Sequence, residues 1–461
     1  MAVSGSMLLR LKALVGLDVH IFATILFRGW GILAGGLSIV LIPLFLSPTQ
    51  QGFYYTFASV LALQVFFELG LNQVILQLVS HDAAHLTIQD DGKVSGDAAR
   101  IHRLYGLVSL LRRWYGVAAV LFVVLAGGAG WVFFVTKGGD LPMAQWGATW
   151  VVLVLFTSIN VFLSPHLTVI EGTGQVGAVA RLRLIQSMLG YSAMWILLLL
   201  GTGLWAAVAV PTVGAFATSL WLRRRGGMFQ QDVTANTSGL EPISWRRDVF
   251  PLQWRIAISW ACGYFIFGLF TPIVFASHGA VEAGRLGMAM TIFSAITSLG
   301  LSWINAKTPN FTMHISRGEF APLSRLFKAV SLRSVVATGL PSFLIVALVS
   351  MGTHYDIRLV NRIAPPDTLF WIACAATVNT AVYAGAAYMR AHREEPMLPV
   401  SVVSALLTFA VVTLSRHDVT NMMFGYAAIS VCVSMPWTFL LYRRYRARHL
   451  LEPLAATQEL N

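Results

Sequence analysis

The chain has 461 residues, 56% of them apolar and only 11% charged, with a mean hydropathy of +0.69. A soluble domain carries about 25% charged residues, and no soluble fold of this length buries so much apolar surface. The formal charge of +12 is no nucleic-acid footprint either, because the cations fall between apolar runs rather than along one basic face.

The amino-terminal segment, Met1 to Asp18, has two cations but no short apolar stretch with a small-residue cleavage site. The apolar run that follows is too long for a removable signal peptide. Runs of about 18–28 apolar residues then recur along the chain, each suited to a hydrocarbon core needing roughly 20 residues per helix. Twelve are expected, at 21–46, 52–79, 115–136, 146–170, 182–200, 203–222, 253–277, 282–304, 334–351, 368–389, 397–414 and 420–441. The fifth and sixth are the least securely divided, by Gly201-Thr202-Gly203 alone. The fold class is therefore an all-α polytopic membrane protein of about 12 transmembrane helices in two six-helix lobes.

Two charges interrupt the first two runs. Arg28 lies within 21–46 and Glu68 within 52–79, where an ionised group costs roughly 2.5–3.5 kcal/mol on insertion scales and usually serves a cavity. Counted from the turn near Thr49, Arg28 is 21 residues down one helix and Glu68 is 19 down the next. At about 1.5 Å per residue both reach about 30 Å, so they are placed to pair across the hairpin. Gln64, Glu68 and Asn72 follow at i, i+4 and i+8, one polar stripe that lipid does not tolerate. The plainer reading is that Arg28 snorkels to headgroups and Glu68 neutralises it. Gly29, Gly31, Gly35 and Gly36 fit both, since small residues allow close helix packing.

The longest polar interruption, Arg223 to Arg247, is rich in Gly, Ser, Thr and Gln and reads as a linker. It sets an amino-terminal lobe at 1–222, a cytoplasmic linker at 223–249 and a carboxy-terminal lobe at 250–461 with a short basic tail. The lobes open alike. Arg28 precedes Pro43 by 15 residues and a Gly-containing turn at Gly52; Arg255 precedes Pro272 by 17 and a turn at Gly279 to Gly284. Even-numbered halves imply a parallel repeat about an axis along the membrane normal, a recurring transporter plan. Lys and Arg settle the expected orientation. With both termini in the cytoplasm, 26 fall in inside segments and 4 (Lys137, Arg358, Arg362 and Arg416) in outside segments.

The second lobe adds further candidates. Arg255 stands beside Trp254 at a span start, which also suits an interfacial anchor. Glu282 and Arg285, one or two turns into the eighth span, have the i, i+3 spacing of a local ion pair. Lys307 reads as a topology charge. Pro43, Pro272, Pro341 and Pro436 lie within or near span ends, where a missing donor lets a helix bend. Cys262, Cys374 and Cys432 fall inside apolar runs, and neither a disulfide framework nor metal-ligand spacing is present. No cofactor is called for. The chain lacks the G-x-x-x-x-G-K-[ST] phosphate loop, so it is not expected to hydrolyse ATP.

Several stretches resemble one family. Phe27-Arg28-Gly29, Ile42-Pro43-Leu44-Phe45-Leu46, Gln51 to Phe57, Phe66-Phe67-Glu68-Leu69-Gly70-Leu71, Ile170 to Val176, Gln253 to Trp260, Ala283 to Met288 and Lys307 to Phe311 are similar to bacterial polysaccharide-biosynthesis membrane proteins of the Wzx flippase type. The resemblance covers roughly 20–320 and is thin beyond. It implies the multidrug/oligosaccharidyl-lipid/polysaccharide exporter superfamily, with two six-helix lobes around a central cavity and alternating access. Some members of that family have 14 spans. It implies transport, in the bacterial inner membrane, of undecaprenyl-diphosphate-linked oligosaccharide repeat units for O-antigen, capsule or exopolysaccharide synthesis. It further implies Arg28, Arg255 and Arg285 as diphosphate cations, alongside Gln64 and Asn72 as sugar-facing amides. Glu68 and Glu282 are then the candidates for charge pairing or for proton or cation coupling. The expected partners are the lipid-linked oligosaccharide, the bilayer and other polysaccharide assembly proteins, with no nucleic acid.

Two other functions compete. A multidrug or cation antiporter of the same fold would favour acidic or apolar cavity residues, whereas the three cations here outnumber the two acids. A membrane polysaccharide polymerase or ligase needs an external platform, and the longest outer loop, about Gly352 to Asp367, offers about 16 residues.

Overall fold

A computed structural model describes residues 19–83, 86–88, 94–224, 244–392 and 396–458. The chain is helical almost throughout. In order come α1 (Val19–Phe45), α2 (Pro48–Leu61), a single turn at Val65–Glu68, α3 (Leu71–Ala83), α4 (Ala98–Leu121), α5 (Gly128–Lys137), α6 (Met143–Gly172), α7 (Val176–Leu199) and α8 (Ala209–Arg224). Then follow α9 (Phe250–Phe267), α10 (Phe270–His278), α11 (Ala280–Ser316), α12 (Phe320–His354), α13 (Pro366–Ala391), α14 (Leu398–Leu414), α15 (Val419–Ile429) and α16 (Met435–Gln458). The all-α expectation needs one amendment. A short antiparallel hairpin, β1 (Leu86–Ile88) with β2 (Val94–Gly96), pairs Thr87 with Ser95.

Among the described residues, nine helices are long and apolar enough to cross a bilayer, and a bent pair makes a tenth. The shorter apolar helices Gly29–Phe45 and Leu398–Leu414 stand where the first and eleventh spans were expected. Several helices run past their apolar runs. The third continues over Ala99–Lys137, the eighth over Ala280–Ser316 and the ninth over Phe320–His354, since charged residues beyond the hydrocarbon still favour helix. The uncertain division between the fifth and sixth spans is a true helix end. Gly201 takes φ 69°, and the amide of Thr202 reaches back to the carbonyl of Leu197, a Schellman-type stop.

The second span departs from expectation. The sequence predicts one helix over 52–79, but α2 ends at Leu61, a 3-10 turn follows at Ala62–Gln64, and the turn at Val65–Glu68 stops where Leu69 (φ 48°) and Gly70 (φ 64°) are left-handed. The segments Pro48–Glu68 and Leu71–Ser80 meet at 47°. The i, i+8 alignment of Gln64 with Asn72 on one straight face therefore does not hold. Glycine is needed at 70, because only it adopts this conformation freely and because a Cβ there would lie 2.5 Å from Cγ2 of Ile256. Gly70→Ala is expected to lower the melting temperature of the purified protein, at a cost of about 1–3 kcal/mol. Gly263→Ala, where an added Cβ meets nothing within 4 Å, is the matched control.

The chain forms two compact units, one of Met1–Leu46 with Leu61–Ala257 and the other of Ser47–Val60 with Ile258–Asn461. In the first unit, Leu71, Val74, Ile75 and Val79 on α3 meet Leu104, Leu107, Leu111 and Tyr115 on α4, with Val161 and Ile170 of α6 and Val179 of α7. The i, i+3, i+4 spacing puts each set on one helix face. Nε1 of Trp150 donates to the carbonyl of Gly127 at 3.0 Å, at the end of a π-helical turn over Phe122–Gly127. Outward faces carry bare apolar side chains, Leu33 being 69% exposed and Leu200 72%. In water such surface drives aggregation, whereas in a bilayer it is the solvated face.

The second unit buries Phe311, Phe327, Tyr388, Met389 and Tyr445 where α11, α12, α13 and α16 meet. Its α2 segment crosses α11 on small residues. Gly52 abuts the carbonyl of Ala280, Gly284 abuts the backbone of Gly52, and Gly287 abuts Tyr55. Gln51, 1% exposed, donates from Nε2 to the carbonyls of Gly284 (3.1 Å) and Arg362 (2.9 Å). These are the two turns that the half-repeat in the sequence had matched.

Candidate functional site

The break in the second span assembles a polar cluster inside the first unit. Glu68 ends the turn before the break and Asn72 stands in the first turn of α3 after it. The bend keeps them together although the helix is interrupted, with Nδ2 of Asn72 donating to Oε2 of Glu68 at 3.4 Å. The other amide hydrogen of Asn72 goes to Oγ of Ser164 at 3.3 Å. Its Oδ1 accepts from the hydroxyl of Tyr115 at 2.9 Å. The amide is thus used at both ends, which fixes its orientation.

Each partner has a local cause. Tyr115 lies on the buried face of α4 that carries Leu104, Leu107 and Leu111. Ser164 precedes Pro165 within α6. The proline has no N–H to give the carbonyl four residues back, and the hydroxyl of Ser164 donates to that carbonyl, of Val161, at 3.1 Å. The sequence reading overlooked Tyr115 and Ser164. The Ser-Pro pair inside an apolar run was the available signal for Ser164, while Tyr115 passed as a first residue of the third span.

The other expected residues separate. Gln64 lies in the 3-10 turn and makes no hydrogen bond to Glu68 or Asn72 among the described residues. Arg28 is in α1, with its side chain outside the described residues. Arg255 is exposed, its guanidinium 5.3 Å from the ring centre of Trp254, an aromatic anchor contact. Its neighbour in sequence, Ile256, packs on Gly70 at the break. In the second unit, Nη1 of Arg285 meets Oε1 of Glu282 at 2.5 Å and its Nε donates to the carbonyl of Asn361 at 2.9 Å. The local ion pair read from the i, i+3 spacing is present. Glu282 and Arg285 line a recess of about 270 Å³ with His278, Thr368, His417 and Asp418. Lys307, the topology charge, is exposed on α11.

Two further polar sites in the first unit escaped the sequence reading. Asn160 donates from Nδ2 to the carbonyls of Phe156 and Pro211, both at 2.8 Å. Gln186 reaches the carbonyl of Gly214 at 3.2 Å and Oγ1 of Thr218. They join helices α6, α7 and α8 and spend their donors on protein groups, three backbone carbonyls and one hydroxyl, which marks them as struts.

What the arrangement offers chemically is a set of hydroxyl, amide and carboxyl groups within otherwise apolar helices. The start of α3 adds the positive partial charge of a helix amino terminus. Interrupted transmembrane helices put such termini toward anionic groups of a substrate.

No family model matches the chain, and no curated protein matches it. Solved structures do. An inward-facing multidrug resistance MATE family transporter of the MOP superfamily superposes with a TM-score of 0.61 at 14% identity, over 94% of this chain and 98% of that one. Lipid II flippase MurJ in its inward closed conformation gives 0.57 at 10% identity, over 94% and 90%. A MOP superfamily transporter from Pyrococcus furiosus, described by the reverse polarity of its binding pocket, gives 0.54 at 13% identity, over 94% and 96%. The chain is a multi-pass, helical membrane protein with the fold of the MOP-superfamily transporters.

Proposed function

We propose that the protein is a flippase for undecaprenyl-diphosphate-linked oligosaccharide repeat units, acting by alternating access in the bacterial inner membrane. The observation that carries this reading is the break in the second span. There Glu68, Asn72, Tyr115 and Ser164 gather beside the start of α3, and Arg255 stands next to Ile256, which packs on Gly70. Hydroxyl and amide groups suit sugar hydroxyls, while guanidinium forks and a half-helix start suit a diphosphate. In this reading Glu68 occupies the field of the α3 terminus between cycles, and the arriving diphosphate displaces it toward Arg28. Arg285, already engaged by Glu282 and Asn361, takes a lesser part. Both termini face the cytoplasm, as the distribution of Lys and Arg implies.

The test is export of glycan repeats in cells lacking the wild-type gene. Arg28→Ala and Arg255→Ala are each expected to reduce export by about thirtyfold, the loss of a charge-assisted contact. Lipid-linked repeats then accumulate on the cytoplasmic leaflet. Wild-type export by a well-inserted Arg28→Ala protein would refute the assignment. A multidrug antiporter is the second reading, supported by the fold of the MATE relatives and by a carboxyl group within a span. Restored drug tolerance in a pump-deficient strain, with no change in glycan export, would favour it.

A further inference from the structure

The recess that Glu282 and Arg285 line in the second unit is built from segments far apart in sequence. They are the turn between α10 and α11, the stretch at 358–365, the first turn of α13 and the turn between α14 and α15. Side chains tie these segments to one another. Nε of Arg285 donates to the carbonyl of Asn361 at 2.9 Å, and Nε2 of His278 donates to the carbonyl of His417 at 3.2 Å. The hydroxyls of Thr368 and Thr420 share a hydrogen bond of 2.8 Å. Asp418 caps α15, its Oδ1 accepting from the amide of Asn421 at 3.0 Å and its Oδ2 from Nδ2 of Asn421 at 2.8 Å. The walls are thus set before anything binds, which lowers the cost of ordering them around a ligand.

The balance of donors and acceptors decides what fits. A carboxylate offers about four acceptor sites and a guanidinium about five N–H donors. Among the described residues, Glu282 commits one oxygen to Arg285, while Arg285 commits Nη1 to Glu282 and Nε to Asn361. Both side chains are 35% exposed, so acceptors of the one and donors of the other remain open to a ligand. Asp418 keeps acceptor capacity beyond the two bonds to Asn421. An anion would meet two carboxylates here, and a metal ion would meet the guanidinium. Among the described residues no group of three His, Cys, Asp or Glu side chains is placed to hold a metal. Neighbouring hydroxyl groups on a ring, by contrast, need an acceptor and a donor side by side, as the carboxylate and guanidinium supply. Pro365 and Val419 add apolar surface for the C–H face of such a ring. The recess measures about 270 Å³, short of the roughly 300–1,000 Å³ that drug-sized ligands fill, so it suits one ring rather than a chain. We infer that this recess binds a single sugar ring, gripped at its hydroxyls by Glu282, Arg285 and Asp418. The inference rests on the flippase reading for the source of that sugar, a unit of the transported glycan. In the orientation proposed above, the recess lies at the outer ends of its helices, on the side of release.

Saturation-transfer NMR on the full-length protein in a sugar-free detergent tests this. The probes are the methyl glycosides of glucose, galactose, mannose, rhamnose and N-acetylglucosamine, with inorganic phosphate as competitor. At least one glycoside is expected to bind in the millimolar range. Glu282→Gln is expected to weaken that binding about tenfold, the loss of a charge-assisted acceptor. Should that variant misfold, Asp418→Asn keeps the helix cap and is expected to weaken binding several-fold. Lys307→Gln, elsewhere on α11, is expected to bind as wild type. Absence of binding by every glycoside overturns the proposal, as does wild-type affinity in folded Glu282→Gln or Asp418→Asn protein. Displacement of the glycoside by phosphate also overturns it, by making the recess an anion site. Binding is read without transport, so the two readings fail separately. Failure of every glycoside to bind, where Arg28→Ala has abolished export, overturns the recess alone. Binding by a protein whose Arg28→Ala variant exports normally refutes the flippase reading alone.

Discussion

Gly52→Val is expected to prevent stable packing of α2 in the second unit. A Cβ at position 52 would lie 1.8 Å from the carbonyl oxygen of Ala280 and 2.5 Å from its carbon. Both are backbone atoms, so no rotamer change relieves the clash and the helices must move apart. That separation draws Gln51 away from the carbonyls of Gly284 and Arg362 and opens the contact of Gly287 with Tyr55. Overpacking costs about 1–3 kcal/mol where side chains can yield, and a backbone contact belongs at the upper end. The expected result is a melting temperature several degrees lower in detergent and less full-length protein in the membrane. Gly263→Val is expected to behave as wild type, since nothing lies within 4 Å of its added Cβ. Equal melting of the two variants would show that the glycine crossing contributes nothing to stability.

Asn72→Leu is expected to reduce glycan export per inserted molecule at least tenfold. The substitution removes the acceptor of the Tyr115 hydroxyl and one of the two bonds of Ser164 Oγ, and an unsatisfied buried polar group costs about 1–3 kcal/mol. Stability therefore falls too, and export must be normalised to folded protein. Tyr115→Phe separates the effects, because it removes one hydroxyl and leaves the amide beside Glu68. If the cluster serves transport, Asn72→Leu loses far more export than Tyr115→Phe for a similar loss of stability. If it serves packing alone, export per folded molecule stays level in both variants.

The legible part of this protein lay in its apolar runs. Lipid demands about 20 apolar residues per span and an internal partner for every backbone group, so the runs at 146–170, 253–277 and 368–389 could be read as helices without tertiary knowledge. The stop at Gly201 was the least securely read division, and the left-handed φ there with the amide of Thr202 on the carbonyl of Leu197 established it. The ion pair of Glu282 with Arg285 followed from helical spacing.

What the sequence could not show was the break at Leu69-Gly70. Leu69 is a non-glycine residue with φ 48°, and Gly70 after it lies against Ile256, a distant part of the chain. Hydropathy does not register that packing. Nor could spacing reveal the partners of Asn72, since Tyr115 and Ser164 lie 43 and 92 residues away. Composition and periodicity by themselves determined that the chain is a bundle of membrane helices, because the solvent imposes that rule on every segment locally. Tertiary structure decided where one helix breaks, which polar groups gather there and which cations stand nearby, because those depend on contacts between segments that each satisfy the bilayer equally well.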